Sequence, residues 1–168
     1  MHMKTLMKKF LLGLLVVTMV LGTVGTSASA ASKKSYSKND LRLLTTIIYC
    51  EAGNEPYKGK VAVGNVVLNR VKSKKFPNTV KGVIYQKGQF TPARSGRLDK
   101  ALKKYDGKQK YGYGEKKQME ACKKAAKEAL AGKHVVKKNT YFFTMYKSKK
   151  AIKKKYPKAV FIGGHYFR

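Results

Sequence analysis

Acidic side chains are scarce in this chain. Eight Asp and Glu stand against 38 Lys and Arg in 168 residues, a formal charge of +30 at neutral pH. Such a field specifies no fold; it draws the protein towards polyanions and lets each carboxylate be weighed singly. Histidine is scarcer still, with three residues of which one is His2, so no histidine-based metal site is expected and no cofactor is implied. Two cysteines, Cys50 and Cys122, allow one disulfide or two buried thiols, and the sequence leaves both open. No Pro- or Ser-rich run forms a linker, and no internal repeat is visible, which leaves one domain with a single core.

Long apolar runs are confined to the start. Lys4, Lys8 and Lys9 precede an apolar stretch from Phe10 to Leu21, and small residues follow, ending Ala28-Ser29-Ala30. Basic start, apolar middle and A-x-A end are the three parts of a secretory signal peptide, with cleavage expected after Ala30. The run is shorter than the roughly 20 residues of a membrane span, which sets retention as an N-terminal anchor behind removal. Residues 1–30 are therefore read as a removed signal, 31–38 as a flexible lead-in and 39–168 as the folded domain of a secreted monomer with no stable membrane span. Loss of three lysines with the signal lowers the charge to about +27. Outside a bacterial cell the abundant polyanion is the wall, with its teichoic acids and peptide carboxylates. The lysines are scattered and do not form one aromatic-interleaved patch, so anionic wall polymers are expected partners ahead of nucleic acid.

Along the mature chain, Ser37 to Ala52 reads as a helix. Ser37 and Asp40 form a variant capping box, and Leu41, Leu44, Ile47, Ile48 and Ala52 recur at helical spacing. Gly53-Asn54 tolerates positive φ and Pro56 blocks continuation, so the helix should end near Glu51. Tyr57 to Ser73 reads as a second helix, apolar around most of its circumference and hence buried; its valines make a strand the competitor. Phe76-Pro77-Asn78-Thr79 forms a turn that opens a short helix through Tyr85, with Thr79 or Asn78 as its cap. Residues 86–114 read as a long surface loop with one helical turn near Leu98 to Tyr105. Glu115 to Ala131 is a helix stopped at Gly132. The tail turns β-like at Thr140 to Met145 and again from Ala159 to Phe167, two segments around a Lys-rich loop that could pair. The fold class is α+β, mainly helical, with a small C-terminal antiparallel sheet.

Of the eight carboxylates, Asp99, Asp106, Glu115, Glu120 and Glu128 lie among lysines in polar segments and read as solvated partners of Lys. Asp40 is a first-turn residue. Glu51 differs: it follows Ile48 and Ile47 by three and four residues, at the edge of an apolar face. A carboxyl there is partly desolvated, which raises its pKa and suits it to protonate a leaving oxygen. Spacing alone equally allows an acid that satisfies backbone donors or pairs with a buried Arg. Glu55 is read as a residue that orients backbone or substrate, ahead of a role as second catalytic carboxylate. Cys50 and His165 invite a Cys-His nucleophile, but Cys50 lies late in its helix at core spacing, far from the N-terminal dipole that lowers a thiol pKa.

Several motifs together resemble one family. Glu51-Ala52-Gly53-Asn54-Glu55-Pro56-Tyr57, Gly59-Lys60-Val61-Ala62-Val63, Val67-Leu68-Asn69-Arg70-Val71, Phe76-Pro77-Asn78-Thr79-Val80, Val83-Ile84-Tyr85, Gln89-Phe90 and Ile162-Gly163-Gly164-His165-Tyr166-Phe167 resemble the signature of SleB/CwlJ-type cell-wall hydrolases. The resemblance implies a domain related to lysozyme and lytic transglycosylases, with one essential glutamate whose role falls to Glu51. It also implies cleavage of peptidoglycan between N-acetylmuramic acid and N-acetylglucosamine, as in spore cortex lysis during germination. Transglycosylase chemistry would use Glu51 as acid and then as base while the muramoyl 6-hydroxyl closes a 1,6-anhydro ring. Tyr57, Asn69, Arg70, Gln89, Phe90, His165 and Tyr166 are candidates for the cleft or its support; Asn69 and Arg70 equally suit hydrogen bonds to loops and helix ends. The chain departs from the family where Asn54, and not glycine, precedes Glu55, and Asn is the next-best residue for a left-handed turn. It also lacks the separate peptidoglycan-binding domain of some members, for which its charge is expected to substitute.

Overall fold

Helix α1, Lys38–Ala52, starts where its capping box says it should. Ser37 Oγ accepts from the Asp40 N–H at 3.0 Å, and Asp40 Oδ2 accepts from the Ser37 N–H at 3.0 Å. These positions come from a computed structural model that describes residues 35–168. The expected signal segment, 1–30, lies outside the described residues. The expected lead-in reaches too far: Tyr36 packs on the core and Lys38 is already helical.

Leu43, Leu44, Ile47 and Ile48 of α1 are buried, and so are Thr45 and Thr46. Both threonine hydroxyls donate to carbonyls one turn back, Thr45 to Leu41 and Thr46 to Arg42, which makes their burial tolerable. Helix α2, Tyr57–Lys72, is buried from Gly59 to Val71. Its all-round apolar character therefore reflects a central helix and not a strand. Thr79 caps α3, Val80–Tyr85, by accepting from the Gly82 N–H at 3.0 Å.

Residues 86–114 correct the expectation of a surface loop. They contain α4, Thr91–Arg94, and α5, Arg97–Tyr105, and α5 packs against α1 through Leu98, Ala101 and Leu102. Helix α6, Glu115–Leu130, lies against α1 and α2 through Met119, Cys122, Ala125, Ala126 and Ala129. Gly132 follows at φ +100°, the expected stop.

From residue 131 to residue 142 the backbone is neither helix nor strand. Five of its polar groups are satisfied by α2 instead, while Tyr141 and Phe142 donate to the Arg168 carbonyl. Asn65 donates to the Lys133 carbonyl at 2.7 Å and accepts from the Val135 N–H at 2.8 Å. Asn69 Nδ2 donates to the carbonyls of Lys137 and Thr140, and Arg70 Nε to that of Tyr141 at 2.8 Å. The pinned segment delivers a sheet of three strands in the order β1-β3-β2, where β1 is Phe143–Met145, β2 Val160–Ile162 and β3 His165–Phe167. Both pairings are antiparallel, with β3 in the middle. The two expected segments do pair, through β1 and β3, and the second also folds back on itself as the β2–β3 hairpin; the Lys-rich loop between the two segments forms α7, Lys149–Lys155.

Replacing Asn65 with Ala removes both partners of the 133–135 backbone while leaving the helix intact. We expect a loss of about 1–3 kcal/mol, the usual cost of stranding such groups, read as a lower urea midpoint at unchanged slope.

Candidate active site

Glu51 sits in the last turn of α1, half-buried, where two hollows meet. Cys50, Glu51, Arg97 and Met145 line both. The larger, about 570 Å³, continues past Glu55, Lys100, Lys104, Glu115 and Gln118. The smaller, about 380 Å³, continues past Arg70, Gln89, Phe90, Phe143 and His165. A polymer threaded along this groove would present a bond to Glu51 with a unit on either side.

Two opposing effects set the Glu51 carboxyl. Burial pushes its pKa above the ordinary carboxylate value, and the Arg97 guanidinium pulls it back. Among the described residues no side chain or N–H donates to the Glu51 carboxylate, so its oxygens remain open to the groove. Arg97 is held in place by a hydrogen bond from Nη2 to the Cys50 carbonyl at 2.9 Å. It sits at the first residue of α5, entered through Gly96 at φ +73°, and nothing in the sequence periodicity marks it.

Glu55 also lines the larger hollow, but its carboxylate has other work. Oε2 accepts from the Gly164 N–H at 2.8 Å and so fixes the β2–β3 turn. Gly163 is left-handed, at φ +58°, and a Cβ there would fall 1.9 Å from Glu55 Oε2. The Gly163-Gly164 pair therefore exists to admit the Glu55 carboxylate, and Glu55 orients backbone. His165 Nδ1 is 3.6 Å from Glu55 Oε1, beyond hydrogen-bonding distance. Burial lowers the His165 pKa more than Glu55 raises it, so the imidazole is neutral at neutral pH.

The turn between Glu51 and Glu55 departs from the left-handed form expected at Gly53-Asn54. Gly53 is right-handed, at φ −55° and ψ −37°, and no residue other than glycine has positive φ among the described residues. The reason for glycine is close approach: a Cβ on Gly53 would lie 2.6 Å from the Tyr49 carbonyl oxygen. Asn54 serves the turn through its side chain, whose Oδ1 accepts from Gln118 Nε2 at 2.7 Å and ties the turn to α6.

The other candidates divide. Gln89, Phe90, Arg70 and His165 line the smaller hollow with Glu51. Arg70 lies beneath it, 4% exposed, its guanidinium 5.2 to 5.4 Å from the ring centroids of Phe76, Phe90 and Phe142. Asn69, Tyr57 and Tyr166 line neither hollow. Asn69 holds the 137–140 backbone, Tyr57 packs between Lys124 and Lys133, and Tyr166 stacks on Tyr156. Sequence reasoning missed Arg97, Met145, Phe143 and the Lys104–Glu115 pair at 2.5 Å. Cys50 and Cys122 are both free thiols. Burial pushes Cys50 up to about 11, so it is no thiolate at neutral pH.

A model of the cell wall hydrolase family matches residues 54–168. The chain belongs to that family. The match opens at residue 54, just past Glu51, so the standing of Glu51 rests on its place in the groove. A spore cortex-lytic enzyme of Bacillus cereus is 49% identical over 63 residues, 38% of this chain and 24% of that protein. One from Oceanobacillus iheyensis is 43% identical over 74 residues, 44% of this chain and 27% of that protein. The chain thus spans about a quarter of the length of these curated relatives. Among solved structures, it resembles the catalytic domain of the germination-specific lytic transglycosylase SleB from Bacillus anthracis. That match has a TM-score of 0.58 and 30% identity over 80% of this chain and 97% of that one. The SleB catalytic domain of Bacillus cereus gives 0.56 and 31%, over 80% and 92%. These neighbours carry the lysozyme-like lytic transglycosylase architecture that the family's cell wall hydrolases share with this chain.

The groove generates a pH test. A general acid must be protonated, so activity should fall as pH rises through the Glu51 pKa. Arg97 lowers that pKa, so Arg97→Gln should move the basic limb of the kcat/KM profile to higher pH. Arg97→Lys, which keeps the charge, should leave it in place.

Proposed function

We propose that this family member cuts peptidoglycan strands between N-acetylmuramic acid and N-acetylglucosamine as a lytic transglycosylase, with Glu51 as its acid and base. The observation that carries the reading is one carboxyl, raised by burial and free of protein donors, at the junction of two hollows. In the first step Glu51 gives its proton to the glycosidic oxygen as the bond to the muramoyl C1 breaks. In the second, the resulting carboxylate takes the proton of the muramoyl 6-hydroxyl as that oxygen bonds to C1, which closes the 1,6-anhydro ring and restores the acid. No second carboxylate is needed. That suits a groove in which Glu55 is engaged with Gly164 and Glu115 with Lys104.

Gln89, Phe90, Arg70 and His165 then line the path of one sugar, and Arg97 tunes the acid. The name of the curated relatives, spore cortex-lytic enzyme, supports spore cortex as the setting, and that of the similar Bacillus anthracis domain supports germination as the occasion. Export belongs to the same proposal: residues 1–30 are removed after Ala30 and the basic domain acts at the wall, retained there by its anionic polymers. Among the described residues no helix is long and apolar enough to cross a membrane. A non-catalytic wall-binding protein would have no use for a desolvated carboxyl in a groove, and a thiol peptidase would need Cys50 ionised.

Purified Glu51→Gln on isolated peptidoglycan should release glycan fragments about 10²–10⁴-fold more slowly than the parent, the usual worth of a general acid. Mass analysis of the parent's products should find 1,6-anhydro ends; reducing ends would make it a hydrolase. Undiminished release by the Gln variant overturns the assignment, and free stem peptides lost on Cys50→Ala would move the chemistry to the thiol. Folding of the Gln variant is checked by linkage. The Glu51 pKa is raised in the folded state, so its contribution to stability is full below the unfolded value of about 4.3 and lost as pH rises through the folded value. The Gln variant should therefore resist urea at pH 7 better, relative to the parent, than it does at pH 4.

A further inference from the structure

All eight carboxylates of the chain lie at or before Glu128. The following 40 residues hold ten lysines, Arg168 and no acidic side chain. Among the described residues, Lys133 alone of these cations has an acidic side-chain partner, Glu128 at 2.7 Å. The remainder gather around the C-terminal sheet. Helix α7, with five lysines in seven residues, has no buried side chain and is held through half-buried Ile152. Seven residues of alternating self-repulsion with so little apolar contact make a poor helix unless an anion lies against it.

Beside α7 a hollow of about 450 Å³ is lined by Lys137, Lys155, Tyr156, Lys158, Phe167 and Arg168, among others, and shares none of its lining with the groove at Glu51. One of its cations is rigidly placed. The Arg168 guanidinium lies 4.7 Å from the Phe142 ring centroid and 4.6 Å from that of Tyr156. The Arg168 backbone exchanges hydrogen bonds with Phe142 in both directions at 2.9 Å. A planar guanidinium fixed by two rings, with no acidic side chain paired to it among the described residues, is suited to a tetrahedral oxyanion; the Arg168 main-chain oxygen is turned instead to the N–H groups of Tyr141 and Phe142, at 3.0 and 2.9 Å. The rings themselves are engaged. Tyr156 stacks on Tyr166 at 5.8 Å and carries Lys155 at 5.5 Å, while Phe142 also meets Phe76 and Arg70. A nucleic acid site of this size would offer free ring faces for bases. Here the rings hold cations in place and leave the cations outward.

We propose that this hollow and the exposed face of α7 form a second binding site, separate from the groove, for a phosphodiester-linked polyol of the teichoic-acid type. Each phosphate pairs with a cation, with Arg168 as the fixed contact and Lys155, Lys158 and Lys137 as its neighbours. Bound there, the wall's own polyanion keeps the enzyme beside its substrate without entering the groove.

The test uses the full chain without residues 1–30 and measures its binding to purified poly(glycerol phosphate) at several salt concentrations. The triple variant Lys155→Gln, Lys158→Gln, Arg168→Gln should bind at least about ten-fold more weakly and show a shallower dependence on salt. A control with the same charge change elsewhere, Lys110→Gln, Lys116→Gln, Lys117→Gln, should lose no more than about three-fold. Keeping the charge with Lys155→Arg and Lys158→Arg, Arg168 unchanged, should keep binding at the parental level, and an unaltered urea midpoint for the triple variant shows that it is folded. Cleavage of short soluble glycan should be the same in the parent and the triple variant, so this site can fail while the catalytic proposal stands. Equal losses in the two triple variants would mean that net charge alone binds, and overturn the proposal. So would parental binding by the first triple variant, or tighter parental binding to single-stranded nucleic acid that the first triple variant alone loses.

Discussion

Three polar side chains on a buried helix carry the groove. The segment from residue 131 to residue 142 has no helix or strand of its own, and where it meets the core, at buried Val136 and Thr140, side chains take over the pairing of its backbone. Asn65, Asn69 and Arg70, on adjoining turns of α2, do this for five backbone groups. Because α2 is itself enclosed by α1, α3 and α6, these donors cannot drift. The strand that follows places Phe143 and Met145 opposite Glu51, and its partner β3 brings His165 to the same wall. The core is thus the reference frame from which one side of the groove is hung.

The second attachment is Glu55. Its carboxylate crosses from the end of α1 to the Gly164 N–H and closes the far end of the sheet onto the turn that follows Glu51. A second free acid in the groove would repel Glu51 when ionised and compete for any proton. Committing Glu55 to a backbone donor and Glu115 to Lys104 avoids this. What is left is a single carboxyl whose protonation is governed by burial on one side and Arg97 on the other. The two cysteines contribute volume only: Cys122 is packed in the core and Cys50 closes the space between α1 and Arg97, its Sγ 3.7 Å from the Arg97 carbonyl.

What could be read in advance followed from locality. The ends of α1, α2 and α6 were legible because caps, a stopping glycine and 3.6-residue periodicity are written within one segment. Glu51 was legible because its distance from Ile47 and Ile48 states its burial. The 86–114 stretch was not: its apolar residues are few, split between a four-residue and a nine-residue helix, and interspersed with lysines. Their burial depends on α1, which periodicity within the stretch does not contain. Arg97 was hidden for the same reason, since its function is set by Cys50, 47 residues earlier. Gly53 was read as a left-handed turn when the need was clearance from the Tyr49 carbonyl; both demands select glycine, and sequence cannot separate them. Asn69, Tyr57 and Tyr166 belong to motifs that also contain groove residues, and adjacency in a motif does not say which way a side chain points.

The scarcity of acid now has a mechanical meaning. A strongly positive protein stabilises every carboxylate it holds, and would by that field alone drive Glu51 towards its ionised form. Exposed charges act through screened solvent, whereas desolvation acts at the group itself and is indifferent to salt. Burying Glu51 at the end of a packed helix therefore lets the surface carry a large charge without dictating the protonation of the groove. Among the described residues Arg97 is the one cation whose charge opposes burial at Glu51. The separation also leaves Lys137, Lys155 and Lys158 around a hollow that shares no lining residue with the groove at Glu51. Surface charge and the protonation of Glu51 are set in different parts of one small domain, by effects of different range.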